Sequence, residues 1–150
     1  AFSARLDKKK YKTFALISDG ELYEGSIWEA LLFAGHHKLT NLVIIIDRNK
    51  QIVMDKTEDC IKLNPLEKKI KSFGYSTVSI NGHSYNDLNK TFKKIKKKKL
   101  KKPLVIIANT IKGKGVSFME NKFESHYQVL GKKDYSQSLE QLSKSFSKSI

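Results

Sequence analysis

The sequence predicts an α/β fold, an open and mainly parallel sheet with helices on both faces. Short, apolar, β-prone runs recur at Phe14–Ile17, Leu42–Ile46, 75–80 and 103–109, and segments of helical period separate them. Strands that alternate with helices close into parallel sheets through crossover connections. At 150 residues the chain is long enough for one domain with a real core and too short to suggest two.

The elements follow in order. Ala1 to Leu6 reads as the last turns of a helix already under way. The first strand, 12–18, is interrupted at Asp19-Gly20, and a helical pattern through Ile27, Leu31 and Ala34 then predicts a helix over 24–37. The second strand, 42–47, stops at Asp47-Arg48-Asn49. Asn64 is expected to cap a helix over 65–73 ahead of Pro65, and Gly74 to end it. A strand over 75–80 leads to Ser84, the expected cap of a helix over 85–99, and the fourth strand spans 103–109. Leu139, Leu142 and Phe146 keep helical register in a last helix over 135–148. There is no internal repeat, and the one low-complexity stretch is a lysine run.

Composition narrows the function classes. Cys60 is the only cysteine, so no internal disulfide forms; with no signal-like start, a reducing compartment, the cytoplasm, is expected. Nothing approaches the apolar length of a membrane span. The net charge of +14 raises the question of nucleic acid. Most of that charge is lysine, however, and its densest block, Lys93 to Lys102, follows Leu88, Phe92 and Ile95 as the solvated end of an amphipathic helix. That reading argues against a nucleic-acid partner.

The chemistry concentrates between Ser18 and Asn49. Asp19 sits where one strand ends and Asn49 just beyond the next, thirty positions on, so a strand–helix–strand unit delivers a carboxylate and an amide to the carboxyl ends of a parallel sheet, where open α/β sheets bind ligands. Magnesium and calcium take oxygen ligands, and magnesium keeps sites made of one or two protein groups plus phosphate and water. Asp19, Asn49 and the backbone carbonyl of Gln51 fit that set. Gly20 permits close backbone approach, and a helix starting near Glu24 directs free N–H groups and its positive dipole end toward the turn.

The segment from Ser18 to Asn49 resembles the thiamine-diphosphate motif of the transketolase family, which runs from G-D-G at one strand end to N-N at the next. The similarity extends through E-L-Y-E-G-S-I-W-E-A and A-G-H-H-K-L-T-N-L-V-I-I-I-D to T-I-K-G-K-G-V-S-F-M-E-N, and the last block resembles the separately encoded amino-terminal transketolase subunits. Ser18 stands for the first Gly of the motif and Arg48 for the first Asn of the pair; neither change removes a metal ligand. The resemblance implies thiamine diphosphate held through Mg2+ or Ca2+, with Asp19, Asn49 and Gln51 on the metal and Gly20 close to the diphosphate.

It also implies two residues nearer the reaction. Glu24 corresponds to a glutamate in a network across the subunit interface, and His126 to a histidine near the cofactor diphosphate and the substrate entrance. Both are expected to bind cofactor and to assist catalysis, although His126 lies in Ser-His-Tyr without the glycine that usually follows. Trp28 and Glu29 match without a chemical assignment. His36, His37 and His83 show no metal spacing, T-I-K-G-K-G alone is a weak anion signal, and Glu58-Asp59 reads as an exposed acidic turn.

The implied activity is two-carbon ketol transfer between sugar phosphates. The resemblance covers one partial domain, residues 1–150, the later half of the diphosphate-binding domain, and implies that the upstream part and the pyrimidine-binding domain are absent from this sequence. A pyrimidine-domain transketolase subunit is therefore the expected partner, in a dimer or heterotetramer, and the chain alone is expected to be inactive. Deoxyxylulose-phosphate synthase and 2-oxoacid dehydrogenase α-subunits share the metal motif but resemble the E-L-Y-E-G-S-I-W-E-A block less well. A catalytically silent, basic interaction module for anionic polymers is the alternative of a different class.

Overall fold

The computed structural model describes residues 1–97 and 99–147, with side chains described through 144. Lys98 and Lys148, expected inside helices, and the Phe146 side chain, expected in register, lie outside the described residues. The sheet has four parallel strands: β1 (Thr13–Ser18), β2 (Leu42–Arg48), β3 (Ser76–Asn81) and β4 (Leu104–Asn109), ordered β1-β2-β4-β3. All four stand where the apolar runs predict them.

Helices α1 (Phe2–Leu6), α2 (Gly25–His36), α3 (Thr57–Cys60), α4 (Leu66–Ser72), α5 (Tyr85–Lys97) and α6 (Lys132–Ser147) connect and flank the strands. The β1–α2–β2 and β2–α4–β3 units advance along the sheet, whereas β3–α5–β4 turns back. Right-handed crossovers then place α2 and α4 on one face and α5 on the other. The two cores agree: Leu31, Ala34, Leu66 and Ile70 pack on Ile44, Ile46, Val105 and Ile107, while Ile95 and the half-buried Phe92 pack on Val43, Leu104 and Ile106. Central β2 and β4 are covered on both sides, which is why Leu-Val-Ile-Ile-Ile and Leu-Val-Ile-Ile-Ala do not alternate. Edge strand β1 does: Ala15 and Ile17 turn to the first core, and Phe14 and Leu16 stay 50% and 71% exposed.

Helix packing explains two residues. Gly35, buried in α2, sits so close to the connection after α4 that a Cβ would stand 2.0 Å from the Phe73 carbonyl oxygen. The buried Tyr75 hydroxyl donates to the Leu31 carbonyl at 3.1 Å and ties α2 to the start of β3. Gly74 takes φ +90° at the end of α4, as a stop signal requires, and the Asp87 amide donates to Ser84 Oγ at 3.2 Å, the expected cap of α5.

Some expectations need correction. Asn64 does not cap α4, whose N-cap is Pro65 without a side-chain hydrogen bond; the Asn64 amide donates instead to Glu58 Oε2 at 3.3 Å. The last helix begins at Lys132, three residues early, because Gly131 accepts the Tyr135 amide and the polar first turn carries no apolar period. Single-turn elements, α3 and the 3-10 turns Gly20–Tyr23 and Phe123–His126, escape periodicity altogether.

Candidate metal and diphosphate site

The end of β1 is shaped by its own sequence. The Ser18 amide donates to Glu21 Oε2 at 2.6 Å, and the Glu21 amide donates to Ser18 Oγ at 3.2 Å. This reciprocal S-x-x-E pair starts the 3-10 turn Gly20–Tyr23, which separates Asp19 from α2. The Asp19 amide donates to the Asp47 carbonyl at 3.0 Å, so the ladder between β1 and β2 runs one residue further and delivers Asp19 to the exit of β2.

Asp19 is fully buried there. Its Oδ2 accepts Arg48 Nη1 at 2.8 Å and the Lys50 amide at 2.7 Å, whereas its Oδ1, equally sealed from water, has no partner. Burial pushes the carboxyl above its ordinary pKa, against the opposing pull of the Arg48 and Lys50 hydrogen bonds and the Arg48 charge. Arg48, 4% exposed, divides its guanidinium among Asp19, Thr57 Oγ1 at 2.8 Å and Glu58 Oε1 at 2.6 Å. Glu58 is thus no exposed turn residue, contrary to expectation; only Asp59 is exposed. Burial works against the Glu58 carboxylate, but hydrogen bonds from Arg48 and the Asn64 amide bring it below its ordinary range.

Asn49 follows β2 directly, and its Oδ1 accepts the Gln51 amide at 2.9 Å, an Asx turn that fixes the amide's orientation. Gln51 is buried, bridges Lys56, and holds a second unpartnered buried oxygen, its own Oε1. The expectation concerned its backbone carbonyl; the side-chain oxygen is an addition. Gly20 lies under the same loop, and a Cβ there would meet Ile52 Cγ2 at 3.3 Å. Asp19, Gly20, Asn49 and Gln51 are therefore gathered where β1 and β2 end.

A cleft of about 650 Å3 opens next to them, lined among others by Asn49, Gln51, Lys56, His83, Thr110 and Asn121. It lies over the carboxyl ends of β2, β4 and β3. Two contacts brace it: the Thr110 hydroxyl donates to Asp47 Oδ1, and the Ile111 amide donates to His83 Nε2 at 2.7 Å. His83, without an assignment from sequence, thus ties the loop after β3 to the loop after β4. His126 stands in the 3-10 turn past the cleft-lining Phe123, exposed, with Nδ1 3.3 Å from Lys112 Nζ. Glu24 is exposed at the N-cap of α2 and makes no capping hydrogen bond. Neither residue is among the groups around Asp19.

The donor set suits a hard divalent cation. Among the described residues no group of three or more His, Cys, Asp and Glu side chains could hold a metal, so a cation at Asp19 would rest on one carboxylate, amide or carbonyl oxygens, and phosphate and water. Magnesium sites are built this way. Buried polar atoms without partners are rare enough to call for an explanation, and a cation at Asp19 Oδ1 supplies one. Arg48, Thr57 and Glu58 escaped the sequence reading because their contact spans a loop with no motif. The Ser18–Glu21 pair was missed as well, although its S-x-x-E spacing is the signal that finds it.

Comparison with known proteins gives the chain's family. The family model described as transketolase, thiamine diphosphate binding domain, matches residues 4–148. The chain is 38% identical over 148 residues to an apulose-4-phosphate transketolase subunit of Phocaeicola vulgatus, covering 99% of this chain and 52% of that protein. It is 36% identical over 144 residues to 6-deoxy-6-sulfo-D-fructose transketolase subunit SqwG of Clostridium sp., covering 96% and 52%. The chain thus spans about half the length of these curated relatives. Its fold superposes on transketolase from Campylobacter jejuni with a TM-score of 0.83 and 34% identity, covering 91% of this chain and 21% of that one. The chain belongs to the transketolase family, in its thiamine diphosphate-binding domain.

Proposed function

We propose that this chain supplies the metal- and diphosphate-holding part of a transketolase that moves two-carbon ketol units between sugar phosphates in the cytoplasm. The observation that carries the reading is Asp19 Oδ1, a buried carboxylate oxygen without a partner at the joint exit of β1 and β2. Asp19, Asn49 and Gln51 would hold Mg2+, whose charge would neutralise the cofactor's diphosphate. Gly20 keeps the turn narrow. Thiamine diphosphate, when bound, supplies the nucleophilic carbon for the transfer.

The chain's own residues then bind, orient and exclude water. The Asp47–Thr110 and His83–Ile111 contacts tie the end of β2 and the loop after β3 to the loop after β4 in one cleft wall. His126, exposed beside Lys112, would meet an anionic substrate or the diphosphate, and Glu24, exposed at the start of α2, would meet a partner. That partner is a pyrimidine-domain transketolase chain, in a dimer or heterotetramer; the names of two relatives as transketolase subunits support this division.

The test is a titration of thiamine diphosphate at constant Mg2+ into the wild type and Asp19→Ala, in the assembled enzyme. Loss of a charged ligand should weaken Mg2+-dependent binding at least about tenfold. Asp19→Asn, which keeps an acceptor for the buried Arg48 guanidinium, should show the same direction and so separate ligand loss from the cost of an unpaired buried charge. Equal affinity in wild type and Asp19→Ala would defeat the site.

A further inference from the structure

The motif Asp-Arg-Asn at the end of β2 puts a guanidinium where it touches nothing in the cleft. Arg48 lines a separate small cavity of about 260 Å3 with Asn64, Leu66 and Ile107. It is 4% exposed, and its contacts are internal: Asp19 at 2.8 Å, Thr57 at 2.8 Å and Glu58 at 2.6 Å. Thr57 is fully buried and opens α3, whereas Asp19 closes β1. One planar fork therefore joins the end of β1, the end of β2 and the start of α3. A lysine ammonium, a single point charge, cannot reproduce that fork.

The lone pairs of Asp19 divide unequally as a result. Oδ2 receives two donors, Arg48 and the Lys50 amide, and is saturated; Oδ1 receives none. A half-turn about the Cβ–Cγ bond only swaps two equivalent oxygens, but any intermediate angle draws the accepting oxygen away from both donors. The fork opposes such angles, because they leave a buried guanidinium N–H without its acceptor.

We propose that Arg48 is a positioning residue for the cation ligand: its guanidinium pins Asp19 through Oδ2 and clamps α3 to the same fork, so that Oδ1 is presented as an open coordination position before any metal arrives. This rests on the reading of Asp19 as a metal ligand. Partners that orient a metal ligand are worth about 10–100-fold in metal affinity, which sets the scale of the effect.

Two measurements on the chain, one with no metal, test it separately. The variants are Arg48→Lys, which keeps the charge and loses the fork, and Glu58→Gln, which weakens one arm and leaves Asp19 untouched. In metal-free protein, hydrogen exchange at the Lys50 amide, donor to Asp19 Oδ2, and at the Ile61 amide, donor to Thr57, should quicken at least about tenfold in Arg48→Lys while Ile45 and Ile106 stay protected. Glu58→Gln should quicken Ile61 chiefly. Mn2+ binding with thiamine diphosphate, read from the free-ion paramagnetic resonance signal, should weaken about 10–100-fold in Arg48→Lys and less in Glu58→Gln.

Unchanged exchange at Lys50 and Ile61 in Arg48→Lys overturns the proposal whatever the metal does. Faster exchange with unchanged Mn2+ affinity also overturns it and reduces Arg48 to a fold contact. If instead Asp19→Ala binds Mn2+ as well as the wild type, the site reading fails and takes the metal-positioning role with it, a result that the Arg48→Lys comparison alone cannot produce.

Discussion

A carboxylate oxygen sealed from water without a donor is costly, about 1–3 kcal/mol for a buried unsatisfied group and more for a charged one, and Asp19 Oδ1 bears that cost in the metal-free chain. A bound cation would remove it, so Mg2+ with thiamine diphosphate should raise the melting temperature of the wild type and not of Asp19→Ala, by the usual coupling of binding to stability. Ser18 offers a second residue-level test. Its hydroxyl accepts the Glu21 amide and its own amide is taken by the Glu21 carboxylate, so Ser18→Ala should destabilise by roughly 1 kcal/mol in denaturant unfolding, the usual net worth of one such hydrogen bond. No change would mean the turn is held by the ladder alone. Asp19 and Asn49 were legible in the sequence because each follows an apolar strand, and strand ends gather by topology. Arg48 was not, since a side chain bonded to a residue 29 positions back and another 10 positions on leaves no periodic trace.

Between elements, the controlling contact is α2 against the connection from α4 to β3. Gly35→Ala would drive a methyl group into the Phe73 carbonyl, 2.0 Å away; backbone cannot yield as a flexible side chain does, so a loss on the order of 3 kcal/mol is expected, read as a lowered denaturation midpoint. Tyr75 gives the same interface a pH signature. Burial pushes its hydroxyl up to about 12 from the ordinary 10.0. The unfolded chain therefore loses this proton first. The stabilising contribution is fully present below pH 10 and is lost as pH rises toward 12, at no more than about 1.4 kcal/mol per pH unit. Tyr75→Phe should remove that part of the alkaline slope; identical slopes in wild type and variant would show that the hydroxyl ionises normally. The four strands were readable at this scale because buried parallel strands are short apolar runs. The one-turn elements were not, because four residues are too few to show a period, and α3 in particular is held by Arg48 and Tyr23 rather than by its own pattern.

At the scale of the whole molecule, charge and site are separable. Lys93, Lys94, Lys96, Lys97, Lys99, Lys101 and Lys102 are exposed at and after the end of α5, as the amphipathic reading expects. α5 runs back to the start of β4, so this block sits at the end of the sheet opposite Asp19. Replacing several of these lysines with Gln should lower non-specific polyanion binding and flatten its salt dependence, leaving thiamine diphosphate affinity within about twofold; loss of cofactor binding in that variant alone would favour the basic-module reading. The central claim, that the chain holds the cofactor's diphosphate for a reaction completed by another domain, is tested most directly by mixing. Ketol transfer from a ketose phosphate to an aldose phosphate should be undetectable for the purified chain with Mg2+ and thiamine diphosphate, appear on adding a pyrimidine-domain transketolase chain, and vanish again with Asp19→Ala; robust turnover by the 150-residue chain alone, or undiminished turnover by the Asp19→Ala mixture, would contradict it.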